Sequence, residues 1–380
     1  MLDWIKNNKM SKGTFEILRD GNSNALNVLV LSEHINATYY ISFDIPLTQL
    51  HTNSKLNFAV ASQSHVQSEG EGCWKKWHNE FNPHIIVMTR YGHKSGISIL
   101  DYFQQNGIPV IYHIDDDLLE LPMSLGKEIC QRHGADDVVE TRKYLLKNSD
   151  LIYASTQYLA DLLQSRFPEQ KIMYGIYAPY MGADITHIDC RKKNKVTVIG
   201  YMGSKGHQQD LELVVPALDD LLEENIDLEF EVFGTIKIPE RLLRFGKRVR
   251  SYPVKKSYID FLSTLAGLEW DIGLAPLVNN PFNLCKAPTK YIEYTACAIP
   301  VIASNVPVYS KIIPEGGGFL TTDDNWRRSI LQLLSNQSLR KDTVKTAQGY
   351  CSEVFSMQIL QGQLMNIFST VQPLETKNTC

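Results

Sequence analysis

Residues 271–303 read DIGLAPLVNNPFNLCKAPTKYIEYTACAIPVIA, and the order of patterns in that stretch decides the fold. Asp271–Pro276 has the length and apolar character of a buried strand, and a loop rich in Asn and Pro follows. Pro288–Ala298 then carries helical spacing, and Pro300–Ala303 is another short apolar strand. Pro288 suits the first helical turn, where its missing N–H costs nothing. Lys290, Glu293 and Cys297 fall on one face of that helix at steps of three and four, and Lys286 stands just ahead of it. A helix N-terminus offers unpaired N–H groups and a positive dipole end, which suit a diphosphate, and the two lysines add cationic charge. Glu293, an acceptor-only side chain about a turn deeper, suits paired sugar or ribose hydroxyls. The same spacing also fits a plain solvated helix start in which Glu293 pairs with Lys286 or Lys290.

The alternation extends outward in both directions. Strand patterns precede it at Leu26–Ser32, Phe58–Ser62, His84–Thr89, Pro109–Ile114, Leu151–Ser155 and Ile172–Tyr177, with helical patterns such as Ser95–Gln105, Asp137–Lys147 and Gln157–Arg166 between them. The polar segment Met181–Lys195, ending in Arg191-Lys192-Lys193, reads as a linker. A second series follows, with strands at Val196–Tyr201, Leu228–Phe233 and Arg248–Tyr252 and helices at Gln209–Leu222 and Tyr258–Leu265. Strands alternating with helices imply parallel sheets covered on both faces. The expected fold class is therefore α/β, two doubly wound Rossmann-like domains facing across a cleft. Residues 1–185 form the first domain and 186–353 the second. Residues 354–380 carry a last helix, patterned over Phe355–Phe368 after a break near Gly349. In such sheets ligands sit beyond the carboxyl ends of the strands.

Composition narrows the class. The 380 residues exceed what one hydrophobic core usually serves, and 43% hydrophobic with 21% charged residues is ordinary for a folded globular chain. A formal net charge of −4 argues against a nucleic-acid partner, which would demand a basic excess. Seven scattered cysteines, none in a C-x-x-C pair, fit reduced thiols rather than disulfides or zinc. Met1–Asp20 has no apolar targeting core and no run approaches a membrane span, so a cytoplasmic chain is expected.

Other strand ends offer chemistry. Val198-Ile-Gly-Tyr-Met-Gly-Ser-Lys-Gly-His-Gln-Gln-Asp-Leu211 closes a strand with Gly203 and Gly206, which allow close backbone approach, and with Ser204, Lys205 and His207, which could reach phosphates. Gly234 ends Phe230–Phe233 in the same way, and simple turn chemistry explains both equally well. Pro109–Pro122 delivers His113, Asp115, Asp116 and Asp117 from a strand into a loop. One aspartate could help remove an acceptor proton. Asp115 and Asp117 could instead hold a divalent metal in a D-x-D arrangement, or the cluster could cap the next helix. Arg90, ending His84–Thr89, could bind an anionic acceptor or brace that loop. Arg241, Arg244, Lys247, Arg248 and Arg250 crowd ten residues and fit a solvated face. Trp74-Lys-Lys-Trp77 suggests a peripheral membrane contact, since Trp prefers interfaces.

A resemblance bears on these choices. The pattern N-P-F-N-x-x-K-x-x-x-K-x-x-E-Y-x-A-x-x-x-P-V, matched at Asn280, Pro281, Phe282, Asn283, Lys286, Lys290, Glu293, Tyr294, Ala296, Pro300 and Val301, resembles the donor segment of family-4-like glycosyltransferases with the GT-B fold. It is closest to a bacterial surface-polysaccharide subgroup. The G-Y-x-G and H-x-x-D-L elements around Gly203 and His207 are similar to that subgroup too. The resemblance implies transfer of a sugar from a nucleotide-sugar substrate to a saccharide or lipid-linked acceptor. It implies retention and no bound metal or other cofactor. It places the donor on Gly203, Ser204, Lys205, His207, Gly234, Asn283, Lys286, Lys290, Glu293 and Tyr294, with the base at Val254. It puts Arg90, His113 and Asp116 on the acceptor side, and it implies that the last helix crosses back to the first domain. The family's first donor glutamate falls at Cys285, which cannot serve as a carboxylate, and the glycine pair after the first strand is replaced by Ser32-Glu-His-Ile-Asn36. Those departures keep open a catalytically inactive relative that only binds a nucleotide-sugar. A nucleotide-sugar epimerase on the same fold, or a GT-A-type transferase using Asp115 and Asp117, also stays open.

Overall fold

The computed structural model describes residues 15–18, 25–53, 55–182, 196–254 and 258–372. The β-branched runs become strands because both faces of each are covered. In Leu56–Ser62, Ile85–Thr89 and Val110–Ile114 every residue is buried. The strands are β1 (Glu16–Leu18), β2 (Leu26–Ser32), β3 (Leu56–Ser62), β4 (Ile85–Thr89), β5 (Val110–Ile114), β6 (Leu151–Ala154) and β7 (Ile172–Tyr174). They are followed by β8 (Thr197–Gly203), β9 (Leu228–Gly234), β10 (Val249–Tyr252), β11 (Ile272–Ala275), β12 (Val301–Ser304) and β13 (Phe319–Thr321).

Two sheets result. One has the order β1-β3-β2-β4-β5-β6-β7, parallel except for β1, which runs antiparallel to β3. The other has the order β10-β9-β8-β11-β12-β13 and is parallel throughout. The chain winds outward from β8 to β9 and β10, then returns to β11 on the other side. The strand order therefore reverses between β8 and β11, where an open α/β sheet leaves a crevice for ligand.

The structure shows how that crevice opens. The β8–β11 ladder holds Ile199 opposite Ile272 and Gly200 opposite Gly273, and goes no further. Beyond it the Tyr294 hydroxyl accepts from Met202 N at 2.8 Å and donates to Leu274 O at 3.1 Å, replacing the next rung with a side chain. Below the crevice, Ile199, Tyr201, Leu218, Phe230, Ile272, Ile302 and Trp326 share one apolar core. Burying each such side chain contributes roughly 1.5–3 kcal/mol.

Among the described residues the chain forms two compact units. The first holds residues up to Leu119, His133–Gly175 and the chain from Gln361, and the second holds Glu120–Arg132 and Ile176–Leu360. The single cut near 185 read from the sequence falls outside the described residues, and the division is more interleaved than that cut. Leu125 and Ile129 lie against Gly206, and Glu128 pairs with Lys205 at 3.0 Å, which ties Glu120–Arg132 to the second unit. The last helix runs Met357–Val371, after a break at Phe355–Ser356 rather than near Gly349, which lies inside the helix Gln337–Val354. Gln361 bonds Gln49 at 3.0 Å and Gln363 bonds the Tyr153 hydroxyl, so this helix packs within the first unit from Gln361 onward. The helix read at Gln209–Leu222 is two, Gln208–Glu212 and Val215–Glu224, because Pro216 can sit in a first turn but not in a helix interior.

Candidate functional site

The loops after β8 and β11 meet at the carboxyl ends of the second sheet. After β8, Gly203 O accepts from both Thr235 N and Ile236 N, pulling the end of β9 against the loop. A Cβ on Gly234, whose φ is +123°, would lie 2.3 Å from that same oxygen. Gly234 thus serves backbone approach between two strand ends. Ser204 starts a single 3-10 turn, Lys205–His207, and Lys205 points to Glu128.

After β11, Asn280 caps the short helix Pro281–Leu284 by accepting from Asn283 N at 2.8 Å. The helix Thr289–Ala296 follows, with Pro288 at its N-cap, where its side chain has no acceptor to offer the first N–H groups. Lys286 Nζ lies 5.0 Å from the Phe282 ring and Lys290 Nζ 5.7 Å from the Tyr201 ring. Both lysines act on His207. Burial first, then Lys290 and Lys286, push its pKa down to about 3. The neutral histidine of the loop after β8 and the two lysines of the loop and helix after β11 therefore share one site at the strand-order reversal, with its positive charge carried by the lysines.

Asp210, quoted in the sequence but given no role there, organises this site. Its Oδ2 meets His207 Nδ1 at 2.7 Å, and its Oδ1 accepts from Val278 N at 2.9 Å and from Asn283 Nδ2 at 3.2 Å. One buried carboxylate thus pins both loops, and these bonds hold its pKa below the usual carboxylate range against burial. The i, i+3 spacing of His207 and Asp210 on a turn was the signal for it. Asn283, expected to bind donor, spends both amide protons on Asp210 and on Val278 O at 2.9 Å. Tyr294 is fully buried, with its hydroxyl engaged between β8 and β11. These two side chains build the site from behind.

Glu293 is the buried carboxylate that the helical spacing placed on the Lys290 face. It is 8% exposed, and Tyr258 donates to its Oε1 at 2.7 Å. Burial raises its pKa to about 7, against the pull of Tyr258 and Lys290. It is no solvated surface pair. Cys285, at the position of the family's first glutamate, is buried at the end of Pro281–Leu284 with its thiol toward Pro281 O. Val254 is exposed beyond β10, beside residues outside the described set.

In the first unit the aspartate cluster divides. Arg90 donates to both oxygens of Asp115 at 2.9 and 3.0 Å, and Thr38 adds a bond at 2.8 Å. Arg166 takes Asp117 through two bonds at 2.7 and 3.0 Å. Each carboxylate that a D-x-D metal would need is thus claimed by its own arginine. Arg90, held at φ +56°, braces the loop and also lies 3.7 Å from Asp116, the most exposed of the three. His113 sits within β5 rather than in the loop. Its ring is enclosed, bonded to Thr89 at 2.8 Å and packed edge-on against Phe43, and burial lowers its pKa to about 4. An enclosed ring does not present itself to an acceptor.

One further expectation is corrected. Trp74 and Trp77 are buried, and Trp77 stacks on Phe15 at 5.5 Å, so they belong to the core and offer nothing to a membrane. The basic cluster lies on a solvated face as expected: Arg241, Arg244 and Arg250 are about half exposed while pairing with Asp219 and Glu229, and Arg248 bonds the carbonyls of Leu222 and Asn225. No described helix is long and apolar enough to cross a membrane.

No protein-family model and no curated protein matches the sequence. Solved structures do match. Sucrose-phosphate synthase from Thermosynechococcus elongatus superposes with a TM-score of 0.66 at 13% identity, over 91% of this chain and 99% of that one. Anabaena HepE in complex with UDP and glucose gives 0.62 at 15% identity, over 91% and 100%. A Listeria monocytogenes protein described as a UDP-N-acetylglucosamine 2-epimerase gives 0.57 at 11%, over 91% and 96%. At these identities the likeness is one of fold, and that fold is the two-Rossmann-domain GT-B type.

Proposed function

We propose that this chain is a glycosyltransferase that moves a sugar from a nucleotide-sugar to a saccharide or lipid-linked acceptor. The reaction runs with retention and without a metal, in bacterial surface-polysaccharide or lipopolysaccharide synthesis. One observation carries the reading. Lys286, on the loop after β11, and Lys290, in the first turn of Thr289–Ala296, both face the neutral His207 of the loop after β8 at the strand-order reversal of a parallel sheet. A diphosphate is the ligand that such a concentration of positive charge and N–H groups suits. The lysines offset leaving-group charge as the glycosidic bond breaks. Glu293 takes the donor's hydroxyls, and Val254 lies where the base is held. Arg90 and Asp116 mark the acceptor end of the first unit. The UDP and glucose held by HepE support this choice of ligand.

A thermal-shift screen against UDP-, GDP-, dTDP- and ADP-sugars tests the reading, because a ligand raises apparent stability as ln(1 + [L]/Kd). At least one should stabilise the chain, and transfer should then persist in EDTA. The Listeria likeness supports a second reading, epimerisation. Conversion of a UDP-sugar without any acceptor would establish it.

A further inference from the structure

The hydrogen bonding of His207 fixes more than its position. Asp210 is held as a carboxylate, and a carboxylate only accepts. The 2.7 Å contact therefore requires the proton on Nδ1 of His207. The groups facing the ring keep it from gaining a second proton. Asp210 lies on its own turn, Lys286 on the loop after β11 and Lys290 on the helix beyond, while Tyr201 of β8 donates its hydroxyl to the His207 carbonyl at 3.4 Å. The two lysines outweigh the single carboxylate and its bond once burial is added. A neutral ring with its proton on Nδ1 presents a bare lone pair at Nε2.

We propose that His207 meets the donor as a hydrogen-bond acceptor, its Nε2 receiving a hydroxyl of the sugar or the ribose rather than donating to a phosphate oxygen. This rests on the transferase reading and deepens it. The phosphates fall to Lys286 and Lys290, and His207 reads a hydroxyl next to them. Asp210 is a positioning residue that selects the tautomer.

Two measurements test it. In protein carrying ¹⁵N-histidine without ligand at pH 7, His207 should show a protonated Nδ1 and a bare Nε2. Asp210→Asn should reverse the pair, because the amide must turn its oxygen to Val278 N and its NH₂ to the ring. A protonated Nε2 in the wild type overturns the proposal. The second measurement titrates UDP-glucose, UDP and inorganic pyrophosphate into wild type and His207→Asn, a variant that keeps a donor toward Asp210 but has nothing at the Nε2 position. A lost hydrogen bond is worth roughly three- to tenfold in affinity. That loss should appear with UDP-glucose alone if the partner is a sugar hydroxyl, and with UDP as well if it is a ribose hydroxyl. Pyrophosphate should bind both proteins equally. An equal loss for pyrophosphate, or no loss for any probe, overturns the proposal. A wild type that binds none of the three sinks the transferase reading itself, and the hydroxyl assignment with it.

Discussion

Replacing Glu293 by Gln keeps the shape of the buried side chain and the oxygen that accepts from Tyr258, but removes the charge. The folded chain holds the Glu293 proton up to about pH 7, against an ordinary value of 4.5. Each unit of that difference is worth about 1.4 kcal/mol, so ionising the buried group costs on the order of 3 kcal/mol. The sign follows from proton binding. Between pH 4.5 and 7 the folded state binds more protons than the unfolded one, so this group's contribution falls as pH rises and levels off above pH 7. Gln does not titrate. The variant should therefore match the wild type near pH 4.5 and exceed it by about 3 kcal/mol at pH 8.5, a rise of several degrees in Tm. Transfer at pH 8.5, where Glu293 is ionised, should fall at least tenfold, since a charged acceptor that grips hydroxyls has become an amide. Urea unfolding at pH 5 and 8.5, beside a transfer assay, reads both. A Gln variant less stable than the wild type at pH 8.5 would refute the reasoning, because Glu293 would then be an ionised partner of Lys290 that supports the fold.

Three other outcomes follow. Tyr258→Phe removes the bond that holds the Glu293 pKa down, so it should cost about 1–3 kcal/mol in urea unfolding and weaken transfer along with Glu293→Gln. Gly234→Ala places a methyl 2.3 Å from Gly203 O at a φ that L residues avoid, and should lower Tm sharply and loosen the loop carrying Lys205 and His207. Arg90→Leu strands the buried Asp115 carboxylate and should cost about 3–5 kcal/mol at pH 7, with part regained as pH falls, because burial, no longer opposed by Arg90, lets Asp115 take up a proton at a higher pH than in the wild type.

The strands were legible because burial on both faces leaves unbroken apolar runs, and β2 was read at its observed bounds. The antiparallel β1, three residues long, is too short to show a period, and it was not read. At the site, spacing along a helix placed Lys290 and Glu293 on one face. It could not say that Tyr294 bridges two strands or that Asn283 serves Asp210, because those bonds join residues 92 and 73 positions apart. His113 was read as delivered into the loop with Asp115, Asp116 and Asp117, although the strand pattern Pro109–Ile114 already held it. The ladder decided otherwise, pairing it with Thr89 on one side and Tyr153 on the other.

Titration of UDP into wild type, Lys286→Ala, Lys290→Ala and the double variant tests the central claim most directly. If the diphosphate rests on these two lysines, the wild type binds, each single variant loses roughly fivefold or more, the double variant loses more than either, and the losses shrink as salt rises. Equal affinity in all four proteins would place the ligand elsewhere and contradict the account.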